Sequence, residues 1–488
     1  MTMKIDESKN MPTVFVIFGA TGDLMKKKIA PALFNLYKKG RLPKLFKVVG
    51  VSRSILSDDD FRKRVGEILK SHGSKEDEVF RSFLEVFLFK SGQFDNEENY
   101  KNIAKYLLDI DVSWGVCSNK LFYLSVPPVH YEMILKNLSS SGLTLPCSQQ
   151  GGWTRILVEK PFGKDAKTAI VLDNLLGTLF REEQIYRIDH YLAKEMLQNI
   201  LTFRFSNNLF EDSWHKDFIE KIEIRLLEKI GVEERGEFYD GIGALRDVGQ
   251  NHLLQMLALV AMDNPSSFDA VSIRSKRFDV LEKLKMPSVE EIKNYSYRAQ
   301  YEGYKNIKGV KLKSETETYF KILAYLDTPR FKDVPVVLES GKRMREQVKE
   351  IVITFKHQTP CLCPPGIHYK NKIIFSVEPQ ERISIRFWSK KPGLDMEMEE
   401  RELDFLYRRD GERTQYVEEY EKLLLDCILG DQTLFVSTDE VQAMWKFTDA
   451  ILDVWYNDIV PLKFYNPDTD EARESSGYIE EYISSDNL

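Results

Sequence analysis

The stretch from residue 12 to residue 28, PTVFVIFGATGDLMKKK, constrains the fold of this chain more than any other. An apolar, β-branched run ends at Gly19, a second glycine follows at Gly22, and a helical pattern begins directly afterwards. A strand that turns through glycines into a helix exposes backbone N–H groups and a positive helix end, which together can hold a pyrophosphate. The spacing departs from GxGxxG because Met25 stands where a third glycine is sought, so a tight structural turn is the alternative.

The first and second parts of the chain show different patterns of predicted secondary structure. In the first 185 residues apolar strand runs alternate with helical segments, which indicates crossovers and a parallel sheet covered on both faces. From about residue 218 several runs show partial alternation and lie close together, as in an antiparallel sheet. The sequence therefore predicts an α/β plus α+β protein. A Rossmann-like, doubly wound domain occupies residues 1–185, and a larger α+β domain with a mainly antiparallel sheet occupies residues 186–488.

Composition limits the partners. The 69 basic and 76 acidic residues give a net charge of −7, so overall charge does not attract the chain to nucleic acid or to anionic membrane. No run of about 18 apolar residues and no apolar leader occurs, and five cysteines fit a reducing compartment without a disulfide framework. We expect a cytoplasmic protein that binds a small molecule and no metal, because no cluster of ligands suggests one.

The end of the second predicted strand bears on the cofactor. NAD-binding sheets commonly place an acidic residue there to bond the ribose 2′-hydroxyl, but this chain reads VSRS, with Arg53. A guanidinium among hydroxyl groups suits a 2′-phosphate, which predicts NADP. The alternative is a solvated surface arginine, and only the pairing of Arg53 with the glycine turn favours the cofactor.

Polar side chains follow two later strands, Lys160 in VEKPF and the stretch RIDHYLAKE at 187–195. Ligands of open α/β sheets bind at the carboxyl ends of strands, so both stretches point to one crevice. If residues from Tyr191 onward are helical, His190 and Lys194 share one face beside Tyr191, and their donors suit a phosphoryl group. The alternative is a helix cap on a solvated face.

RDVGQNHLLQ places His252 in a mostly apolar helix. A histidine has an ordinary pKa of about 6.5, which suits a general base for a sugar hydroxyl, and a carboxylate on its second nitrogen would hold the tautomer. Asp189 is the candidate carboxylate. The alternative is a core histidine with satisfied hydrogen bonds.

These stretches together resemble the glucose-6-phosphate dehydrogenase family. The resemblance spans nearly the whole chain through GATGDLMKKK, VSRS, FYLSVPP, EKPFG, RIDHYLAKE, RDVGQNHLLQ, SGK and KKPG, all in family order. RIDHYLAKE is highly specific, and Ala193 stands where most members carry glycine.

The resemblance implies an oxidoreductase that oxidises D-glucose 6-phosphate at C1 to 6-phospho-D-glucono-1,5-lactone with hydride transfer to NADP⁺, the first step of the oxidative pentose phosphate pathway. It implies His252 as the base, Asp189 as its orienting carboxylate, and a homodimer or homotetramer. The residues implied to bind substrate are Lys160, His190, Tyr191, Lys194, Glu228, Asp247 and Lys342. Those implied to hold NADP are Gly19, Ala20, Thr21, Gly22, Asp23, Leu24, Met25, Lys26, Arg53 and Lys160.

The chain departs from the family pattern in its second half. Glu378 stands where many members have a glutamine that contacts substrate, and Gln347 stands where some have a basic residue. Ser376 replaces a basic residue of the additional NADP site of some animal enzymes, so we do not expect that site.

Two other functions fit parts of the pattern. Another NADP-dependent sugar dehydrogenase would leave the predicted phosphate receptor empty, whereas a non-catalytic NADP sensor would have lost the base or its carboxylate. Both Asp189 and His252 are present, which favours the enzyme.

Overall fold

The computed structural model describes residues 10–146, 151–357, 360, 363, 368–407 and 417–485. The chain divides into two compact units, each assembled from several segments. Unit 1 comprises Met1–Ala193, Asp269–Val271 and Tyr416–Val441. Unit 2 comprises Lys194–Phe268, Ser272–Gln415 and Gln442–Leu488.

Unit 1 is built on a seven-stranded sheet in the order β15-β6-β5-β4-β1-β2-β3, in which β15 runs antiparallel to β6 and the other pairs are parallel. The strands are β1 (Thr13–Phe18), β2 (Phe46–Ser52), β3 (Phe87–Ser91), β4 (Asn119–Leu124), β5 (Thr154–Glu159), β6 (Ile185–Ile188) and β15 (Phe435–Val436). Every residue of β1 is buried, as expected for a parallel strand covered on both faces. The order 3-2-1-4-5-6 is that of a doubly wound dinucleotide-binding sheet.

Local chemistry fixes the helices of unit 1. Ser57 begins one of them through a capping box, since its Oγ accepts the Asp60 N–H and the Asp60 carboxylate accepts the Ser57 N–H, both at 3.1 Å. The helices are Met25–Ile29, which is π-helical, Ala30–Lys38, Asp58–Ser71, Glu78–Leu84, Glu97–Trp114, Tyr131–Ser140, Ala166–Leu179 and Glu419–Leu429, with 3₁₀ turns at Pro128–His130, Glu182–Gln184 and His190–Ala193.

Unit 2 is built on a nine-stranded sheet in the order β14-β13-β12-β11-β7-β10-β9-β8-β16. Only β10 with β7 and β16 with β8 pair in parallel. The strands are β7 (Ile219–Leu227), β8 (Ser296–Tyr301), β9 (Tyr319–Ala324), β10 (Val336–Gly341), β11 (Val348–Phe355), β12 (Lys372–Glu378), β13 (Arg382–Lys390), β14 (Met398–Leu406) and β16 (Lys463–Tyr465). The predicted fold class, a Rossmann-like sheet followed by a larger α+β part with a mainly antiparallel sheet, is confirmed.

The remaining helices begin or lie in unit 2, apart from two that start in the short segments of unit 1. They are Glu195–Phe205, Asn208–Glu211, Gly236–Tyr239, Leu245–Leu253, which is π-helical, Leu254–Ala261, Ala270–Glu282, Val289–Tyr295, Thr438–Tyr456, Glu471–Ser475 and Tyr478–Ser485, with 3₁₀ turns at Glu233–Arg235 and Tyr304–Asn306. No helix in the described part of the chain combines the length and the apolar character that a membrane crossing needs.

The described cysteines differ in their state. Cys363 and Cys427 are free thiols, whereas Cys117 is disulfide-bonded. The sequence did not point to this bond, because cysteine spacing does not reveal which thiols the fold brings within bonding distance. Cys147 and Cys361 lie outside the described residues.

Candidate active site

The glycine turn after β1 is packed too closely for any side chain. Gly19 has a φ of +84°, and a Cβ there would lie 2.1 Å from the carbonyl oxygen of Ser125. The amides of Gly19 and Ala20 both donate to the Val51 carbonyl, at 2.8 and 3.3 Å. These two amides therefore hold the turn against β2.

The turn still offers donors at its helical end. Gly22 donates to the Gly19 carbonyl at 2.9 Å, and helical backbone starts at Asp23, two residues before the π-helix Met25–Ile29. The Asp23 N–H group therefore has no earlier helical turn to donate to. Lys26 is exposed at this end and Met25 is buried beneath it. Within the described residues the buried Oγ of Ser125 has no hydrogen-bond partner. Close backbone approach, helix-end amides and an unsatisfied hydroxyl all fit a dinucleotide phosphate.

The other predicted residues of unit 1 lie along the same edge of its sheet. Arg53 follows β2, Lys160 follows β5 and Asp189 follows β6, each directly or one residue after the strand ends. Because β1, β2, β5 and β6 run parallel, these residues share the carboxyl-terminal edge with the glycine turn. The structure thus brings the predicted residues of unit 1 to one edge.

The end of β5 is anchored by a carboxylate that sequence reasoning did not interpret. Glu159 Oε1 accepts hydrogen bonds from the hydroxyl groups of Tyr123, at 2.5 Å, and Tyr420, at 3.0 Å. Burial raises the pKa of Glu159, although these two hydrogen bonds oppose the rise. The anchor fixes the strand end from which Lys160 projects.

RIDHYLAKE forms a tight turn after β6. Asp189 is 1% exposed, and its Oδ1 accepts the backbone N–H of Tyr191 at 3.0 Å. The 3₁₀ turn His190–Ala193 follows, and the rings of His190 and Tyr191 meet edge to face with centroids 5.0 Å apart. The aspartate therefore shapes the backbone that presents both rings.

One predicted detail of this stretch is wrong. Lys194 has an extended backbone, with a ψ of 128°, and precedes the helix Glu195–Phe205. His190 and Lys194 are therefore not one turn apart on a continuous helix. The hydrogen bond from the Tyr191 N–H to Asp189 starts a 3₁₀ turn instead of an α-helix, as short polar side chains do when they bond the local backbone.

In unit 2, Asp247 and His252 lie on the π-helix Leu245–Leu253. A π-helix bonds residue i to residue i+5 and has more residues per turn than an α-helix, so Asp247 and His252 lie closer to one face than they would on an α-helix. Gly249 lets the helix approach the sheet, since a Cβ there would lie 2.8 Å from the ring of Phe320 in β9. His252 is 2% exposed.

A buried carboxylate fixes where this helix begins. Glu317 Oε1 accepts the Leu245 N–H at 3.0 Å, and a Cβ on Gly243 would lie 2.2 Å from the same oxygen. Burial raises the pKa of Glu317, and the hydrogen bond from Leu245 partly opposes the rise. Sequence reasoning missed Glu317 because it lies about 70 residues from the helix that it caps.

Lysines and carboxylates alternate at the ends of the neighbouring strands. Lys342 Nζ lies 2.7 Å from Glu228 Oε2 and 3.9 Å from Asp247 Oδ2. The ammonium also lies 5.4 Å from the ring centroid of Tyr239, whose buried hydroxyl has no hydrogen-bond partner among the described residues. Glu228, Asp247 and Lys342, three predicted substrate residues, are thus brought together within unit 2.

The alternation continues to Lys194. Glu378 Oε1 accepts from Lys194 at 2.8 Å, while Oε2 accepts from Lys349 at 2.7 Å and from Gln347 at 3.0 Å. Lys349 also lies 3.8 Å from Glu228 Oε1, which joins the two groups. Burial alone would raise the pKa of Glu378, but the hydrogen bonds from the two lysines outweigh burial and lower it. The carboxyl group is therefore ionised at neutral pH.

Comparison with known proteins identifies the family of the chain. Residues 16–199 match the family model for the glucose-6-phosphate dehydrogenase NAD binding domain, and residues 201–485 match that for the C-terminal domain. A glucose-6-phosphate 1-dehydrogenase of Aggregatibacter actinomycetemcomitans is 42% identical over 448 residues, which are 90% of each chain. The chain belongs to the glucose-6-phosphate dehydrogenase family.

Two other members of the family extend the likeness. A cytoplasmic glucose-6-phosphate 1-dehydrogenase of Arabidopsis thaliana is 36% identical over 477 residues, which are 95% of this chain and 91% of the relative. A solved glucose-6-phosphate dehydrogenase in complex with glucose 6-phosphate is 34% identical, with a TM-score of 0.86 and coverage of 94% of this chain and 95% of that one.

Family membership confirms several predictions. The chain is an enzyme that oxidises glucose 6-phosphate, a small-molecule substrate, with NADP as its cofactor, in the oxidative pentose phosphate pathway. The family pattern did not point to Lys349, although Lys349 contacts two site carboxylates. A faint signal existed, since alternate residues of the run QVKE at the start of β11 point to the same side.

Proposed function

We propose that His252 is the general base of this glucose-6-phosphate dehydrogenase. It removes the proton from the O1 hydroxyl, the C1–H bond breaks with hydride transfer to NADP⁺, and a C1=O bond forms in 6-phospho-D-glucono-1,5-lactone. The proton remains on the imidazole until solvent removes it. The burial of His252 and its position on the same π-helix as Asp247 support this role.

The same proposal assigns Asp189 to the orientation of the imidazole. A carboxylate that accepts from one ring nitrogen fixes the tautomer and stabilises the imidazolium that forms when the base takes a proton. Asp189 is almost fully buried, and its Oδ1 is held by the Tyr191 N–H. These features suit a carboxylate that must keep one orientation.

The alternating charges of unit 2 support the substrate assignments. Sugar hydroxyls donate to carboxylates and accept from ammonium groups, so Glu228, Asp247 and Lys342 suit the ring of glucose 6-phosphate. We assign the phosphate to His190, Tyr191 and Lys194, and assign to Lys160 contacts with both substrate and cofactor. Their donor groups match the acceptor-only oxygens of a phosphate.

NADP would be held by the turn from Gly19 to Lys26, with Arg53 at the 2′-phosphate and Lys160 beside it. When bound, the nicotinamide supplies the hydride acceptor. The fit of the turn to a phosphate, described above, supports this assignment. The protein's own contribution is to hold C1 in line with that acceptor and to provide the base.

We also propose a division of labour, a location and an assembly. Residues 1–185 would bind NADP, and residues 186–488 would bind substrate and form the oligomer. The name of the Arabidopsis relative supports a cytoplasmic location. Leu403 and Phe405 are 60% and 56% exposed on the edge strand β14, which supports a homodimer or homotetramer through this sheet. Light scattering of the purified chain would test the assembly.

The observation that carries the proposed roles is the contact of Lys342 with both Glu228 and Asp247, because Asp247 joins this hydroxyl-binding set to the helix that carries His252. Absorbance of reduced nicotinamide tests the function, with glucose 6-phosphate against glucose and NADP against NAD, in chelating buffer. We expect rapid reduction of NADP only with the phosphorylated sugar. Equal rates with glucose would overturn the assignment of the phosphate-binding residues. Loss of activity on chelation would overturn the expectation that the enzyme needs no metal.

A further inference from the structure

Glu378 lies between two lysines in the charged groups of unit 2. Both of its oxygens accept hydrogen bonds, Oε1 from Lys194 and Oε2 from Lys349 and Gln347. Its side chain is 27% exposed, and those of Lys194 and Lys349 are 12% and 11% exposed. Ion pairs enclosed to this degree are screened less by solvent than surface pairs are.

The two carboxylate oxygens of Glu378 have different partners. Lys194, the partner of Oε1, is the residue assigned above to the substrate phosphate. Carboxylate and phosphate oxygens take the same charge-assisted hydrogen bonds from an ammonium group. At 2.8 Å, Oε1 already occupies one of the donor directions of Lys194 that a phosphate oxygen would use.

The other oxygen has its own anchor. Lys349 Nζ lies 2.7 Å from Oε2, and Gln347 adds a neutral donor at 3.0 Å. Glu378 can therefore release Lys194 and remain hydrogen-bonded and charge-compensated at Oε2. The positive charge of Lys349 partly neutralises the carboxylate and so weakens its attraction for Lys194.

We propose that Glu378 competes with the substrate phosphate for Lys194 and that Lys349 sets the strength of this competition. The inference rests on the proposed phosphate role of Lys194. Glu378 is thus a specificity-determining residue that acts through Lys194. It lowers the affinity for phosphate-bearing ligands and leaves the interaction with the sugar ring and the chemical step unchanged.

The charge-neutral variant gives the first test. For Glu378→Gln we expect KM for glucose 6-phosphate to fall about fivefold, with kcat within twofold of the wild type. Competitive inhibition by inorganic phosphate should strengthen by a similar factor, and kcat/KM for glucose should stay unchanged. Glu397→Gln makes the same charge change in an exposed pair with Lys391 and should alter none of these quantities.

The second variant has the opposite sign. In Lys349→Met the carboxylate keeps Lys194 as its only charged partner among these three donors, so KM for glucose 6-phosphate should rise about threefold. In the double variant with Glu378→Gln this rise should disappear, because no carboxylate remains to compete. A purely structural role for Lys349 would raise KM in both backgrounds.

Several results would overturn the inference. A raised or unchanged KM in folded Glu378→Gln would mean that the carboxylate binds substrate or does nothing, and a fall in kcat/KM for glucose would place it at the ring. If Glu378→Gln does not fold, Lys349→Met and inhibition by inorganic phosphate decide the matter. A wild type without preference for glucose 6-phosphate over glucose would instead refute the proposed function of Lys194.

Discussion

The two units present their functional groups in different ways. In unit 1 the backbone matters most, because a glycine turn, helix-end amides and loops at the ends of parallel strands form the candidate cofactor site. In unit 2 charged side chains matter most, since Lys342, Lys349 and their carboxylate partners alternate at the ends of strands. A site made of backbone groups loses its ligand when a side chain fills the space. A site made of charged side chains loses its ligand when one positive or negative charge is removed. The two kinds of failure can be measured separately.

The largest effect is expected in unit 2, for the variant His252→Asn. Removal of a positioned base costs about 10²- to 10⁴-fold in rate, so kcat should fall by that amount while KM for glucose 6-phosphate changes less than about threefold. Steady-state absorbance kinetics measure both quantities. His215→Asn provides the control, because His215 pairs with Asp217 away from the proposed base and should keep normal kcat. Near-normal turnover in His252→Asn would remove this residue from the chemistry.

The largest effect in unit 1 is expected from a comparison of substitutions at two glycines. Gly19 and Gly40 both have positive φ, of +84° and +61°, but only Gly19 lacks room for a Cβ. We expect Gly19→Ala to weaken NADP binding about a hundredfold, since the Ser125 carbonyl must move. Gly40→Ala should cost about 1 kcal/mol of folding free energy and leave NADP binding intact. Fluorescence titration with NADPH and thermal unfolding measure these effects, and equal loss of NADP binding in both variants would contradict the backbone explanation.

Arg53→Ala asks whether unit 1 also depends on one side chain. Charge-assisted hydrogen bonds contribute about 1.5–3 kcal/mol, so the dissociation constant for NADP should rise about 10- to 100-fold. NAD lacks the 2′-phosphate, and its affinity should change less than about twofold, which makes it an internal control. A parallel loss for both cofactors in a binding titration would place Arg53 elsewhere.

The smallest expected effect concerns the cap of the π-helix. The raised pKa of Glu317 means that the folded state resists ionisation of this carboxyl group, whereas the unfolded state does not. Folding stability contributed by Glu317 therefore falls as pH rises above about 4.5, the ordinary pKa, towards the raised one. Glu317→Gln keeps an oxygen for the Leu245 N–H and has no proton to lose. The Tm of Glu317→Gln relative to that of the wild type should increase by a few degrees between pH 4.5 and pH 8. A Tm difference that does not change with pH would refute the proposed effect of Glu317 ionisation.

The same contrast explains what could be predicted from the sequence. The strand runs and the glycine turn depend on neighbouring residues, and the structure has them where the sequence indicates. The anchor of Glu159 by Tyr420 and the pairing of Lys349 with Glu378 join residues far apart in the chain. Such contacts follow from strand order, which one sequence does not specify.

Two details of local geometry were also beyond sequence reasoning. The chain around Lys194 is extended because Asp189 bonds a nearby backbone amide, and a helical pattern gives no sign of that competition. The π-helix that carries Asp247 and His252 differs from an α-helix by one residue per hydrogen bond, so apolar periodicity over nine residues cannot distinguish the two. Both sites of the proposed chemistry thus lie where regular periodicity breaks down.

The make-up of unit 1 has a consequence for synthesis of the protein. Strand β15 pairs with β6, and Glu421 accepts hydrogen bonds from Asn35 and Lys39, yet β15 and Glu421 belong to the segment Tyr416–Val441. A ribosome that has translated residue 193 has made six of the seven strands of this sheet, but neither β15 nor Tyr420, one of the two tyrosines that anchor Glu159. The nascent sheet must wait for more than 200 further residues before it is complete. A premature stop codon late in the message would therefore damage the half of the enzyme that was translated first.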